Sequence, residues 1–222
     1  MKNAAFFAAS ALTALTLLVT AGSAFAQHET MQHGKMQPGH MQNMKHGNAM
    51  QHGGSHAMGM AGMQTLKTLK GKPFDVAFLS QMIAHHKGAL TMSRDALPAL
   101  KDKHVREHAQ NIIASQTKEI AEMTSLLRSD YNTKPSPAQM NKMKADMKGM
   151  MSMKPGSDQM FLQMMTPHHQ GAIEMSQLAL KNSTSPKVKL LANRIIKDQA
   201  AEIADFKKMM KQGVGPGAAH NH

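Results

Sequence analysis

The chain has 222 residues, enough for one domain or two small ones, and contains 24 methionines, 14 histidines and no cysteine. Aromatic residues make up only 4%, which argues against a β-sandwich, a barrel or a large parallel sheet. The formal charge of +12 and the lack of clustered carboxylates exclude a Ca²⁺ or Mg²⁺ site, and the lack of cysteine excludes disulfides, thiolate zinc sites and iron–sulfur clusters.

The first 26 residues have the pattern of a secretory signal peptide. Lys2 precedes an apolar run over residues 4–19, and Ala24-Phe25-Ala26 forms a small-x-small cleavage site. We therefore expect a cleaved leader and a periplasmic protein, with secretion to the outside as the alternative. Because the apolar run is short for a membrane span, we expect no stable membrane insertion after cleavage.

Residues 27–64 form a tail rich in methionine and histidine, spaced by glycine, glutamine and asparagine. It lacks helical or strand periodicity, so we expect it to be disordered when free. Because thioethers favour Cu(I) and imidazoles also bind Cu(II), the tail is either an accessory metal-binding arm or a polar linker. Its candidate ligands are His28, Met31, His33, Met36, His40, Met41, Met44, His46, Met50, His52 and His56. A second disordered tail, residues 213–222, is expected at the C-terminus.

The rest of the chain contains two copies of one unit, offset by 83 residues. The stretch FDVAFLSQMIAHHKGALTMS recurs as DQMFLQMMTPHHQGAIEMS, and the same offset relates IIASQTKEI to IIKDQAAEI further along. A duplication explains this economically. The recurring positions, numbered in the first copy, are Asp75, Phe78, Leu79, Met82, His85, His86, Gly88, Ala89, Met92 and Ser93.

Each copy predicts two helices that fold back on each other. Steps of three and four residues separate the apolar positions, which is the period of one helix face. Pro98 with residues 101–103 interrupts the first copy, and residues 182–186 interrupt the second. Two such hairpins predict an all-α fold, a four-helix bundle over residues 65–212.

The boundaries follow from capping residues and composition. Repeat one is expected at about residues 72–130 and repeat two at about 156–212. Asp75 and Asp158 stand where an N-cap or first-turn acid is expected. The methionine-rich connector, about residues 131–155, predicts one further short helix laid on the bundle.

Methionine and histidine recur together on the first helix of each copy. At spacings of three, four and seven residues, a methionine, one or both histidines and a second methionine project to the same side, which favours a metal site. The alternative is ordinary core packing, in which methionine is common. The spacing leaves open which histidine of each pair binds, because adjacent helical residues point about 100° apart. The candidate ligands are Met82, His85, His86, Met92, Met165, His168, His169 and Met175.

The second helix of each copy carries a glutamine and a glutamate one turn apart in an apolar row. A buried carboxylate or amide needs a hydrogen-bond partner. A metal-bound imidazole supplies one through its other ring nitrogen, and the acceptor then fixes the orientation of the ring. The residues expected in this role are Gln116, Glu119, Gln199 and Glu202.

The doubled Met/His-His stretches and the segments IIxSQxxEI and IIxDQxxEI resemble the domain of unknown function 305 (DUF305) family. The resemblance covers roughly residues 63–210. It implies a ferritin-like bundle, as in the CopM-type periplasmic copper-binding proteins of this family, and copper or silver binding by the eight candidate ligands. Di-iron chemistry is not expected, because the Glu-x-x-His motif of such bundles does not occur in the chain.

Three classes of function stay open at the level of sequence. The leading one is copper binding for buffering, tolerance or transfer, with Cu(I) preferred, Ag(I) as its mimic and Cu(II) at the tail. We expect no catalytic residue in this case, and its protein partner would be a copper exporter, chaperone or oxidase. The second is a copper-dependent redox enzyme such as a cuprous oxidase. The third is a basic helical interaction module, although few arginines and aromatics argue against nucleic-acid binding.

Overall fold

The computed structural model describes residues 60–214, and the predicted leader, most of the Met/His-rich tail and the C-terminal histidines lie outside these residues. All regular structure in the described part is helical, and no helix in it is long and apolar enough to cross a membrane. The helices are α1 (Met60–Thr68), α2 (Gly71–Ala96), α3 (Lys103–Tyr131), α4 (Pro137–Asp146), α5 (Lys148–Met151), α6 (Asp158–Asn182) and α7 (Pro186–Gln212).

The four long helices form two hairpins, α2–α3 and α6–α7, as the duplication predicts. The first hairpin turns between Ala96 and Lys103, around Pro98, and the second turns between Asn182 and Pro186. The helices of each hairpin pack on each other, and α2 packs on α6 across the two repeats. The predicted four-helix bundle is therefore confirmed, and the contact between α2 and α6 joins its halves.

Helix α2 is buried on nearly all sides. The predicted stripe from Phe78 to Met92 faces the core, and Phe74 stacks on Phe78 with ring centroids 5.8 Å apart. Buried positions also include Ser80 and Gln81 on the other side of the helix. This follows from its position, since α3, α6 and the connector helix α4 all pack against α2.

The start of α2 differs from the prediction. The helix begins at Gly71, before Asp75, because Pro73 has the backbone angle of a first helical turn and lacks only an N–H that would be unpaired there. The assignment of Asp75 as an N-cap or first-turn acid is therefore wrong. Asp75 lies within the helix, 1% exposed, where its Oδ2 accepts a hydrogen bond from the Tyr131 hydroxyl at 2.9 Å.

Asp158 is the first residue of α6, as predicted. The preceding residue, Ser157, is the N-cap, and its Oγ accepts from the Met160 N–H at 3.2 Å. Asp158 Oδ1 accepts from the backbone N–H groups of Lys101 at 3.0 Å and Asp102 at 3.2 Å. The carboxylate thereby fastens the α2–α3 turn of one repeat to the first turn of the other.

The connector forms two short helices, not the single one predicted. It is also shorter than expected at its start, because α3 continues to Tyr131. Ser136 caps α4, its Oγ accepting from the Gln139 N–H at 3.4 Å. Met143 and Met147 are each 2% exposed and bury the apolar side of the connector against the bundle.

The predicted boundary of the N-terminal tail lies too far along the chain, because α1 begins at Met60. Leu66 is fully buried, and its carbonyl accepts from Asn182 Nδ2 at 3.2 Å. The Gly62 N–H donates to Asp146 Oδ2 at 2.7 Å. These contacts with α4 and α6 hold α1 in place, and periodicity alone could not have indicated them.

Candidate metal centre

The two histidine pairs meet where α2 crosses α6. The imidazole rings of His85 and His168 contact each other in a tilted arrangement, with centroids 3.8 Å apart and an interplanar angle of 38°. These two residues are equivalent in the duplication, so each contacts its own counterpart, as residues on a two-fold axis do. All four histidines of the two pairs are 0% exposed.

The second histidine of each pair turns toward the neighbouring helix of its own repeat. His86 Nε2 lies 2.7 Å from Glu119 Oε2, and His169 Nε2 lies 2.7 Å from Glu202 Oε2. A carboxylate only accepts, so Nε2 is the donor in both rings. The Nδ1 atoms of His86 and His169 are both buried without a hydrogen-bond partner, and in the neutral form of each ring Nδ1 carries the lone pair.

The first histidine of each pair has no hydrogen bond of normal geometry on either ring nitrogen. Burial lowers the pKa of His85 well below its usual value, and the nearby imidazoles of His168, His86 and His169 lower it further. Burial also lowers the pKa of His168, assisted by His169 and His86. For each ring, a backbone hydrogen bond with the facing histidine raises the pKa, but this effect is weaker than that of burial. Both rings are therefore neutral at pH 7, which leaves lone pairs available to a metal.

The four predicted methionine ligands are all buried, at 2% exposure or less. Met82 and Met92 are ten residues apart on one continuous helix, or about 15 Å at 1.5 Å per residue, so they cannot bind the same ion. The structure instead groups Met82 with Met175 in one core cluster and Met92 with Met165 in the other. Each of the two core clusters therefore contains predicted methionine ligands from both repeats.

The two predicted glutamines are buried but do not bond to the imidazoles. Gln116 is 2% exposed and Gln199 is 3% exposed. The Oε1 of Gln116 and both polar side-chain atoms of Gln199 lack a hydrogen-bond partner. Among the described residues, the acceptors that contact a ring nitrogen are thus the glutamates, and the role predicted for the glutamines stays a prediction.

Arg194 is a site residue that the sequence did not indicate. Its guanidinium pairs with Glu122, and its Nε lies 3.8 Å from Glu119 Oε1. Glu119 thus links His86 of the first repeat to an arginine of the second. The position equivalent to Arg194 in the first repeat is Asn111, so no duplicated pattern could have revealed this contact.

His104 and His108 lie four residues apart on α3, outside the group of four buried histidines. The His104 side chain is 51% exposed and lies 3.5 Å from Glu107. The ring of His108 packs edge-on against Phe206, with centroids 5.2 Å apart, and the Phe206 ring in turn lies 5.6 Å from the ring of His169. His104 is therefore the control position, because His108 shares a neighbour with the buried group.

The donor set is chemically suited to a soft ion. Six imidazole nitrogens are buried without hydrogen-bond partners: both ring nitrogens of His85 and His168, and Nδ1 of His86 and His169. Such orphaned groups cost about 1–3 kcal/mol each unless something satisfies them. In residues 60–214 no three histidine, aspartate or glutamate side chains group as a metal site, and both core clusters contain buried thioethers.

The chain matches the sequence model of the domain of unknown function family DUF305 twice, over residues 23–127 and 99–210. It belongs to this family. The bundle is similar to CopM in its Cu(II)-bound form, with 26% identity, a TM-score of 0.54, and coverage of 65% of this chain and 98% of CopM. The Cu(I)-bound form gives 28% identity and a TM-score of 0.54 over 64% of this chain and 98% of CopM.

Two further relatives extend this family picture. A DUF305 protein from Streptomyces coelicolor is 26% identical, with a TM-score of 0.53, over 66% of this chain and 97% of that protein. The uncharacterized protein L153 of Acanthamoeba polyphaga mimivirus is 43% identical over 53 residues, which is 24% of this chain. The match spans only about a third of the length of L153 (35%).

Proposed function

We propose that this protein binds copper within the bundle, preferring Cu(I), and serves in copper buffering, tolerance or transfer. The observation that carries the proposal is the group of six buried, unpartnered imidazole nitrogens at the crossing of α2 and α6. Neutral imidazole combined with thioether is a donor set that selects Cu(I), and Ag(I) as its mimic, over hard cations.

The chain's own residues hold the imidazoles ready for an ion. Glu119 and Glu202 fix the protons of His86 and His169 on Nε2, which directs the free Nδ1 lone pairs toward a metal. The two carboxylates, with side chains 13% and 23% exposed, also supply negative charge close to a buried cation.

The grouping of the sulfurs in two core clusters favours two binding positions beside the buried imidazoles. Met82 with Met175 would serve one position, and Met92 with Met165 would serve the other. Each position then draws thioethers from both repeats. A soft monovalent ion binds such neutral ligands through covalency, so the net positive charge of the chain does not prevent binding.

Similarity to CopM, which has been solved in Cu(I)-bound, Cu(II)-bound and Ag-bound forms, supports this proposal. We further propose that residues 1–26 direct export to the periplasm and that the Met/His-rich tail is an accessory arm for Cu(I) and Cu(II). The protein partner we propose is a copper exporter, chaperone or oxidase that receives the ion.

We propose binding without catalysis. The ring nitrogens that would hold the ion belong to residues with 0% exposure, which leaves no evident space for an organic substrate beside it. Oxygen uptake measured after Cu(I) is added to the protein tests this: catalytic consumption of O₂ above that of a surface-histidine control would instead favour a cuprous oxidase.

An anaerobic Cu(I) titration against a tight competing chelator tests the binding site. The variant replaces all four buried histidines, His85, His86, His168 and His169, by glutamine in the full exported chain. The matched control replaces His104, whose side chain is exposed and lies outside the buried group. We expect the quadruple variant to lose the tightest equivalents of Cu(I) and the control to keep them.

Folding and the tail must be separated from the metal site in this experiment. Far-UV circular dichroism of each variant reports whether the helices remain. A chain that begins at Ala57, before α1, removes most of the tail ligands and should retain the tight equivalents. Unchanged tight binding in the folded quadruple variant would refute the proposed bundle site.

A further inference from the structure

Met147 joins the two connector helices and lies against α2 at Gly88. Its side chain is 2% exposed. Its Sδ and Cε atoms each lie 3.3 Å from the position that a Cβ atom on Gly88 would occupy. The connector can therefore place a thioether this close to α2 only because residue 88 has no side chain.

The Cβ position of Gly88 also lies close to one of the buried histidines. His168 Nε2 is 3.3 Å from this position and has no hydrogen-bond partner. The sulfur of Met147 and this nitrogen are therefore separated by no more than twice that distance. An ion bound to both needs them about 4 Å apart, given metal–sulfur and metal–nitrogen bonds of roughly 2.3 and 2.0 Å. The flexible methionine side chain can adopt such a separation by rotamer changes.

An open cavity of about 450 Å³ lies on the outer side of this contact. Its lining includes Ala84, Gly88, Met147 and the half-buried Met151. Met147 and Gly88 both line this cavity, and the Met147 sulfur and His168 Nε2 both lie 3.3 Å from the Cβ position of Gly88, so the wall of the cavity at Met147 is also the wall next to the buried imidazole. Three lysines also line the cavity, which favours an anionic Cu(I) complex over the free cation as the donor.

The duplication does not provide the same arrangement for the other repeat. The position 83 residues before Met147 is Gln64, an exposed residue. Ala84, which lines the cavity, is replaced by Pro167 at the equivalent place in α6. The thioether and the cavity are thus features of one side of a bundle whose histidines are otherwise symmetric.

We infer that Met147 is a Cu(I) ligand together with His168 Nε2, and that this pair is the position through which copper passes from the cavity to the buried histidines. The inference rests on the proposed copper-binding function and adds a ligand and an entry route to it. Binding involves donation of a thioether lone pair, which carries no proton, and of the Nε2 lone pair of the neutral His168 ring in the tautomer that holds its proton on Nδ1.

Methionine-methyl NMR tests the ligand directly in the full chain. Protein labelled with ¹³C at the methionine methyls is titrated with Cu(I) delivered as its complex with the anionic chelator bathocuproine disulfonate, and in parallel with Ag(I). The Met147 methyl is assigned from its absence in Met147→Leu and from its proximity to the Gly88 protons. We expect this resonance to shift with the first equivalents of either ion.

The matched variants are Met147→Leu and Met143→Leu. Both methionines are 2% exposed and belong to the connector, but of the two only Met147 is among the atoms nearest the Cβ position of Gly88. Leucine preserves most of the volume and removes the sulfur. We expect Met147→Leu to bind its first Cu(I) equivalent at least tenfold more weakly and to take it up more slowly, and Met143→Leu to match the parent.

The outcomes separate this inference from the proposed function. If the parent binds Cu(I) through its histidines while the Met147 methyl stays unshifted and both leucine variants match the parent, the inferred ligand is refuted and the copper function stands. If the parent binds neither ion tightly, both fail. Should Met147→Leu be unfolded by circular dichroism, the methyl shift in the parent alone decides, with assignment from the Gly88 contact.

Discussion

The stability of the metal-free protein should fall steeply as the pH drops below about 6.5. His85 and His168 are fully buried, and their pKa values are held well below the usual value. As the pH falls, both histidines therefore become protonated in the unfolded chain while they stay neutral in the native protein. The unfolded state then binds more protons than the native state, and the free energy of unfolding decreases with decreasing pH.

The magnitude follows from two groups titrating in the unfolded state only. With an unfolded pKa of about 6.5, one such histidine lowers the free energy of unfolding by about 1 kcal/mol between pH 7.5 and pH 5.5. The pair His85 and His168 lowers it by about 2–3 kcal/mol, which is a large part of the roughly 5–15 kcal/mol by which domains are stable. Excess Ag(I) should make the free energy of unfolding less dependent on pH. The metal then serves as the partner of the ring nitrogens, and its binding stabilises the native state.

Urea denaturation followed by far-UV circular dichroism, in the presence of a chelator, measures this directly. The slope of free energy against urea should not change, while the midpoint moves to lower urea at pH 5.5. The double variant His85→Gln and His168→Gln should lose most of the pH dependence, and the exposed control His104→Gln should keep it. A parent protein with equal stability at both pH values, or a double variant with the full dependence, would refute the reasoning.

Three further predictions concern single residues. Glu119→Ala leaves the N–H at His86 Nε2 buried without an acceptor, so we expect the free energy of unfolding, measured by urea denaturation, to fall by about 1–3 kcal/mol. Glu119→Gln should lose less stability, because its amide oxygen still accepts the hydrogen bond, and equal losses in the two variants would contradict this explanation. Burial raises the pKa of Tyr131, the only tyrosine of the chain, to about 12. Its absorbance at 295 nm should therefore titrate near pH 12 in the native state and near pH 10 in urea. Because the native state then holds the proton more tightly than the unfolded state, the free energy of unfolding should decrease as the pH rises above 10. Gly71 has a φ of 58°, so Gly71→Ala should lower the unfolding free energy by about 1 kcal/mol, whereas Gly149→Ala, in a helix and with open space around it, should not.

The sequence predicted much of the bundle because the relevant signals are local. The helix breaks near Pro98 and at residues 182–186 follow from backbone restrictions of the residues themselves, and the buried stripe follows from helical periodicity. Errors arose where tertiary contacts override such signals. Helix α1 is held by the buried Leu66 and by the hydrogen bond of Gly62, which are contacts with distant parts of the chain. The start of α2 at Gly71 is a different error, because the local signal of Pro73 was overlooked in favour of Asp75.

The sequence by itself determined that the protein is a duplicated helical bundle with histidines and methionines on its inner faces. Only the tertiary structure decided that His85 faces His168, that Glu119 is reached by Arg194, and that the sulfur of Met147 adjoins a buried imidazole. The physical reason is that periodicity assigns a residue to a face of its own helix, whereas the crossing of two helices and the approach of a connector depend on how side chains from distant parts of the chain pack together.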